Sequence, residues 1–328
     1  MEFSGFFKPY EKNRPLKEEE RQRQLHQKQR LDVDPVYQLS VIDFNSNYME
    51  LVDKWFVSRG APTSGALILG FFVLFVVGAW PYYYFTEESV GDGFGLAALS
   101  ITLISLLPMA LSIWLFKKDA FRFTYFPIRI NRKTRMVHVF RTDGTVLSSS
   151  WDDVFFCISE LPRNNFEIHG NILNDDGDTV KETFAFMLWG VGVRDLGELL
   201  RYWEFVRRYM EEGPESVLNI VEYCLPIKNQ RESFAFGFHR MHGESAHVNF
   251  IFQIVFLLMY FIFYPGRWIA MHTSKLPIWP QETEEACTID PDDPFRKDAS
   301  MNKPIADNLP IYFVAAVGIA LLAAWVLW

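Results

Sequence analysis

The chain has 328 residues, 49 % of them hydrophobic and 16 % aromatic, including 31 Phe and 10 Trp, yet its mean hydropathy is close to zero. Membrane and soluble parts therefore share the chain. A net charge of -8 argues against nucleic acid as the main partner, because phosphate binding wants a basic surface. Three cysteines, Cys157, Cys224 and Cys287, without CxxC spacing, give neither a disulfide framework nor a zinc site and read as buried thiols.

Residues 1–59 read as a cytoplasmic polar region without a signal peptide, since Lys8 and a charged run follow Phe6-Phe7. Within it, 17–30 (KEEERQRQLHQKQR) is expected to be disordered or a solvated helix, and 36–43 (VYQLSVID) a short strand. Residues 49–55 read as an amphipathic approach to the membrane, with Trp55 and Phe56 at interface depth.

Residues 60–116 organise the rest. Two charge-free apolar segments, with spans expected at about 64–85 and 94–116, flank the acidic turn of Glu87, Glu88 and Asp92. A bilayer needs about 20 consecutive apolar residues, so this is a transmembrane hairpin. Ser100, Thr102, Ser105 and Ser112 fit bonds within or between helices, and Pro108 marks a kink.

Residues 117–247 read as a cytoplasmic β-rich domain with helices. Strands are expected at 121–130, 136–140, 146–151, 154–159, 166–174 and 180–186, separated by turn residues such as Asp143-Gly144 and Asp175-Asp176-Gly177. A helix is expected over 195–210, capped by Asp195 and stopped by Gly213-Pro214, with a second short helix at 215–225. An antiparallel sheet closed by one helix suggests a pleckstrin-homology-like architecture, an analogy of pattern that carries no function. Two further spans, 248–266 and 309–328, enclose an acidic Pro-rich loop at 267–308. The predicted fold class is thus an α+β membrane protein with four transmembrane helices in two pairs flanking a cytoplasmic antiparallel β-domain.

Orientation follows from Lys and Arg: ten from Lys8 to Arg59, none in the hairpin turn, seventeen from Lys117 to Arg240 and five from Arg267 to Lys303. Basic residues collect inside, so both termini and the β-domain are expected in the cytoplasm and the 267–308 loop in the periplasm, in a bacterial inner membrane.

Sites are sparse. The predicted spans carry no ionisable residue in their interiors, which disfavours an ion-coupled transporter and leaves a small pore or transporter as the weakest alternative. His239, His242 and His247 have partial metal spacing but no completing ligand, and the acidic loop around Asp290, Asp292 and Asp293 lacks the spacing of a calcium loop. There is no GxSxG or P-loop. We therefore expect no enzyme, cofactor or metal. Arg129, Arg132, Lys133 and Arg135, clustered near one turn, are the candidate contacts for a partner or for anionic lipid.

The runs NRKTRMVHVFRTDGT from Asn131, SSWDDVFF from Ser149 and RRYMEEGPESV from Arg207 resemble a family of uncharacterised proteobacterial membrane proteins whose genes often sit beside type VI secretion spike and toxin genes. The likeness covers roughly residues 122–214 and brings no catalytic residues. It implies an inner-membrane protein that binds a protein partner, as immunity or accessory protein for a secreted toxin. A lipid-binding, membrane-organising module is the alternative.

Overall fold

A computed structural model describes residues 9–86, 94–186, 193–243, 250–303 and 317–318. The fold is α+β, with two five-stranded antiparallel sheets and seven α-helices among the described residues. The chain divides into two units, a β-rich lobe (9–58, 123–232 and 276–303) and a helical unit that takes up the segments between.

In the lobe, one sheet has the order β3-β4-β5-β6-β7, formed by β3 (Val41–Phe44), β4 (Tyr48–Leu51), β5 (Ile128–Asn131), β6 (Met136–Phe140) and β7 (Val146–Ser150). The other runs β1-β10-β9-β8-β2, from β1 (Arg14–Pro15), β10 (Thr179–Ala185), β9 (Asn165–Leu173), β8 (Val154–Leu161) and β2 (Gln24–Leu25). Strands β6 to β10 fall within two residues of their expected bounds. Alternation puts Ile128, Ile130, Val137, Phe156, Ile168 and Phe184 into one core. Helix α4 (Leu196–Glu212) closes that core with Leu199, Trp203, Val206 and Tyr209, all fully buried at helical spacing. Trp203 stacks on Trp151 at 5.9 Å and tilts against Phe156 at 4.9 Å. Asp195 caps α4 by accepting from Gly197 N at 2.8 Å, and Gly213, at φ +103°, ends it before Pro214.

Three expectations for the lobe are corrected. Residues 17–30 are ordered, with a short, mostly exposed helix α1 (Glu18–Gln22) as the solvated-helix alternative expects and an unexpected strand β2. Several charges hold the segment down, Arg14 and Glu20 forming a two-pronged pair, Arg23 reaching Glu160 at 2.8 Å and Lys28 reaching Glu211 at 2.7 Å. Residues 49–55 are not a membrane approach, since Met49 and Leu51 lie in β4 and Trp55 and Phe56 are buried in the lobe. Residues 215–225 are not a helix; a 3-10 turn at Pro214–Ser216 gives way to irregular chain.

The segment expected as a periplasmic loop also belongs to the lobe. Beyond α7 (Gln281–Ala286), the Ala286 carbonyl accepts from Asn131 Nδ2 at 2.7 Å, and Asp293 takes Ser46 N and Oγ at 2.7 Å each. Lys297 bridges Phe44 of β3 through both backbone groups, at 2.7 and 3.0 Å. These bonds make 276–303 a packed part of the β-rich lobe and not a free loop.

In the helical unit, α2 (Ala61–Thr86) and α3 (Phe94–Asp119) form an antiparallel pair, joined by Ser112 Oγ donating to the Ala66 carbonyl at 2.7 Å. Both are long and apolar enough to cross a membrane, and much of their apolar surface has no protein cover: Phe71 is 73 % exposed and Leu107 79 %. Two such helices, not four, occur among the described residues. The expected third span falls in α6 (Phe250–Thr273), which runs on through a fully buried Arg267. The fourth, 309–328, lies outside the described residues save Val317 and Gly318, as does the acidic turn at 87–93.

The start of α2, the end of α3 and the end of α6 meet at a buried polar cluster. Asp119 Oδ2 accepts from Gly60 N, Thr63 N and Thr63 Oγ1 at 2.9, 3.3 and 2.8 Å, while Arg59 Nη1 lies 3.2 Å from Oδ1. A carboxylate thus satisfies the orphan N–H groups opening α2 and complements its dipole. Gly60 and Gly266 allow the crossing of α2 and α6, because a Cβ on either would lie 2.1 Å from an atom of the other helix. Helix α5 (Phe234–Gly243) packs through Phe234 and Phe238 against Tyr264 of α6.

Candidate functional site

The lobe holds a cavity of about 350 Å³ at the free edge of β10. Its wall is apolar, built by Phe126, Ile128, Val139, Phe140, Leu147 and Phe184. Phe184 is set in place by the residue opposite it in β9: a Cβ at Gly170 would lie 2.3 Å from its ring, so only glycine leaves the ring that position. The rim is charged. Glu182 accepts from Lys12 Nζ at 2.9 Å and forms a close pair with Arg141, so two cations share one carboxylate. Nε of Arg141 is cut off from solvent and has no acceptor among the described residues. Asp143 holds its own turn, accepting from Thr145 N at 2.9 Å and Thr145 Oγ1 at 2.6 Å, and these bonds keep its carboxyl below the usual range.

The back of the cavity, Tyr10, Asp53, Lys54 and Trp55, is fixed by buried polar bonds. Asp53 ties the end of β4 to the start of β5, accepting from Trp55 N at 2.9 Å and Phe126 N at 2.8 Å. Lys54, 3 % exposed, donates to Glu167 Oε2 at 2.6 Å and lies within 5.4 Å of the Tyr10 and Trp55 ring centres. The other oxygen of Glu167 pairs closely with His169 Nε2. Burial works against the Glu167 charge, but His169 and Lys54 outweigh it and hold the carboxyl down at about 2. The polar groups here are committed to structural partners, and the open space is apolar. An apolar space with a few fixed polar groups at its back and rim is the form in which ligand sites are commonly built.

A family model described as a family of unknown function, DUF6708, matches residues 105–291, more than half of the chain. The chain belongs to the DUF6708 family. No curated protein and no solved structure matches it. The matched stretch begins inside α3 and takes in β5 to β10 and α4 to α7 of the DUF6708 chain.

The four basic residues singled out from sequence do not form one patch in this DUF6708 member. Arg129 is 1 % exposed, gripped by Glu50 at 2.7 and 2.9 Å, reached by Glu284 at 3.2 Å and sandwiched between Tyr48 and Trp279 at 4.7 Å from each ring. Arg135 is committed to Asp152 and Glu211. Only Arg132, half-buried, and Lys133, exposed, remain on the β5–β6 turn. His239 lies in α5, whereas the His242 side chain and His247 lie outside the described residues. Cys157, Cys224 and Cys287 are free and buried, and burial pushes the first two thiols up to about 12.

Sequence reading missed Tyr10, Lys12, Lys54, Arg141 and Glu182 because the site joins segments more than a hundred residues apart. One signal was present. Glu182 and Phe184 alternate in a predicted strand, so a carboxylate falls on the face that carries a core phenylalanine.

Proposed function

We propose that the chain is a non-enzymatic, membrane-anchored binding protein whose β-rich lobe recognises a protein partner. The observation that carries this reading is the cavity itself, an apolar space with a charged rim in a lobe whose buried titratable groups are occupied with one another. The exposed apolar faces of α2 and α3 support embedding in a bilayer, because apolar area of that extent is rarely left to water. The lobe, including 276–303, then sits in the cytoplasm against an inner membrane, in line with the seventeen basic residues of the middle segment. The likeness to proteins encoded beside type VI secretion genes suggests the setting: immunity or accessory function for a secreted toxin, which needs a binding surface and no chemistry.

The lipid-binding alternative called for Arg129, Arg132, Lys133 and Arg135 to act together, and two of these are spent on carboxylates within the lobe. We therefore favour a protein partner. Carbonate washing of membranes should leave the chain in the pellet, and crosslinking in detergent should recover one partner in stoichiometric yield. Release by carbonate, or a chain recovered alone, rejects the reading. A deletion strain should lose survival against toxin-armed siblings or lose toxin delivery; no change in either rejects the type VI setting alone.

A further inference from the structure

Strand β10 has an edge that nothing among the described residues completes. Its register with β9 pairs Glu182 with Ile172 and Phe184 with Gly170, and Phe186 N donates to Ile168 O at 3.1 Å. In an antiparallel ladder the residues that exchange bonds alternate with those that do not. Residues 182, 184 and 186 therefore turn their backbone groups toward β9, and Thr183 and Ala185 turn theirs to the outer edge. There β1 pairs only with Thr179 and Val180; the ladder ends at Arg14, next to Asn13 at φ +52°, and Lys12 reaches Glu182 through its side chain at 2.9 Å. Beyond that point four consecutive residues of β10, Glu182 to Ala185, all line the cavity. Side chains of neighbouring strand residues point to opposite faces, so a space that touches all four runs along the strand at the edge to which Thr183 and Ala185 turn their backbone groups.

We propose that this edge receives an extended peptide segment of the protein partner as an added β-strand, with one large apolar side chain seated in the cavity. The inference rests on the partner reading above and names how that partner binds. Edge addition supplies main-chain hydrogen bonds for affinity, and the pocket under alternate side chains supplies selectivity. The chain already adds β1 to this same edge and stops after two residues, leaving the next outward amides open. At about 350 Å³ the cavity lies near the lower end for a small-molecule site, and since about 150 Å³ is enough for a benzene ring it has ample room for a large aromatic or aliphatic side chain.

The test uses the full chain in lipid nanodiscs and a displayed library of random nonapeptides, followed by the best binder made synthetically. N-methylation at alternate peptide positions should weaken binding at least tenfold, and methylation at the positions between should not. Replacing the apolar anchor by Ala should cost as much. On the protein side, Ala185→Pro removes one outward N–H, which an edge strand tolerates, and Leu147→Trp fills the cavity; each should weaken binding at least tenfold. Because either substitution risks the fold, the N-methyl scan on the unaltered protein decides independently. No enriched peptide, a methylation profile without a two-residue period, or binding that appears only after removal of residues 1–8 overturns the proposal, the last by making the chain's own N-terminus the occupant. A partner crosslinked equally well to wild type, Ala185→Pro and Leu147→Trp overturns this mode of binding and leaves the binding-protein reading in place.

Discussion

Replacing Lys54 by Met isolates the charge at the back of the cavity. Lys54 and Glu167 are both nearly inaccessible, at 3 % and 0 %, and lie 2.6 Å apart. Methionine keeps most of the stem volume and its contacts with Tyr10 and Trp55 but leaves Glu167 buried without its lysine. Removing one partner of a buried pair typically costs about 3–5 kcal/mol. For a lobe of this size each kcal/mol moves the midpoint by about 2–4 °C, so we expect Tm to fall by roughly 10 °C. The assay is thermal unfolding in detergent followed by tryptophan fluorescence, with Trp151 and Trp203 in the lobe core as reporters. The sign of the pH effect separates charge from packing. In wild type Glu167 is held at about 2, below its ordinary 4.5, so its stabilisation is fully present above 4.5 and is lost only as pH falls from there toward 2. In Lys54→Met the carboxyl accepts a proton more readily, and the penalty should shrink between pH 7.5 and pH 5. Adding Glu167→Gln should recover most of the loss, because the buried carboxylate that lost its lysine, and keeps only His169, is then neutral. An equal penalty at both pH values, with no recovery in the double variant, refutes the reasoning.

His138 donates or accepts at 2.8 Å with Ser148 Oγ, and burial, followed by the Arg129 charge, lowers it to about 4 from 6.5. The unfolded chain then takes up this proton first, so stability falls as pH drops from 6.5 to 4, by about 3 kcal/mol across the window; His138→Asn should flatten the unfolding profile there. Asp119→Ala removes the acceptor of three bonds that open α2, and Asp119→Asn keeps an oxygen. We expect the Ala variant to lose about 3 kcal/mol and its protease resistance, and the Asn variant to be intermediate; equal behaviour of the two places the effect in packing. Cys157 and Cys224, neutral and buried, should resist maleimide at pH 7.5 until the protein is unfolded, and rapid labelling of the native protein contradicts the burial of the two strands of chain that carry them.

The parts legible in the sequence are those encoded by local pattern. Strands β6 to β10 were visible because their apolar alternation is bounded by strong turn residues. Helix α4 was visible because Asp195 and Gly213 mark both ends of a 3.6-residue stripe. Strand β3 overlaps the strand expected at 36–43, but β1 and β2 were hidden by polarity. In 17–30 nearly every residue is charged or amidic, and composition alone says disorder. Its order depends on partners 120 to 190 residues away, such as Glu160, Glu211 and the Trp151 and Val154 carbonyls that take Gln27. The same blindness affected the basic cluster. Spacing placed Arg129, Arg132, Lys133 and Arg135 near one turn, but strand alternation sends Arg129 to the face where Glu50 waits. The acidic 276–303 segment looked like a solvated loop because its anchors, Trp279 on Arg129 and Lys297 on Phe44, are long-range contacts that no periodicity announces.

The position of the apolar hairpin in the chain explains how one polypeptide can close a sheet around an insertion of two long apolar helices. Strands β4 and β5 are neighbours in the sheet, with Leu51 opposite Ile128, yet α2 and α3 lie between them in sequence. Loop-closure entropy grows only slowly with length, by about 0.6 kcal/mol per doubling, so a long insertion is tolerable if its ends do not strain the ladder. Here the ends are tied to each other before they reach the sheet: Asp119 bonds Gly60 and Thr63, and Arg59 Nη2 donates to the Asp119 carbonyl at 2.9 Å. What β4 and β5 must close is therefore the two short connections around Asp53 and Phe126, and Asp53 joins those as well. The buried charges at 53 and 119 act as successive clasps on one excursion. That is why two carboxylates in segments that otherwise read as the borders of a span lie fully inside the structure, where an unpaired charge would be costly.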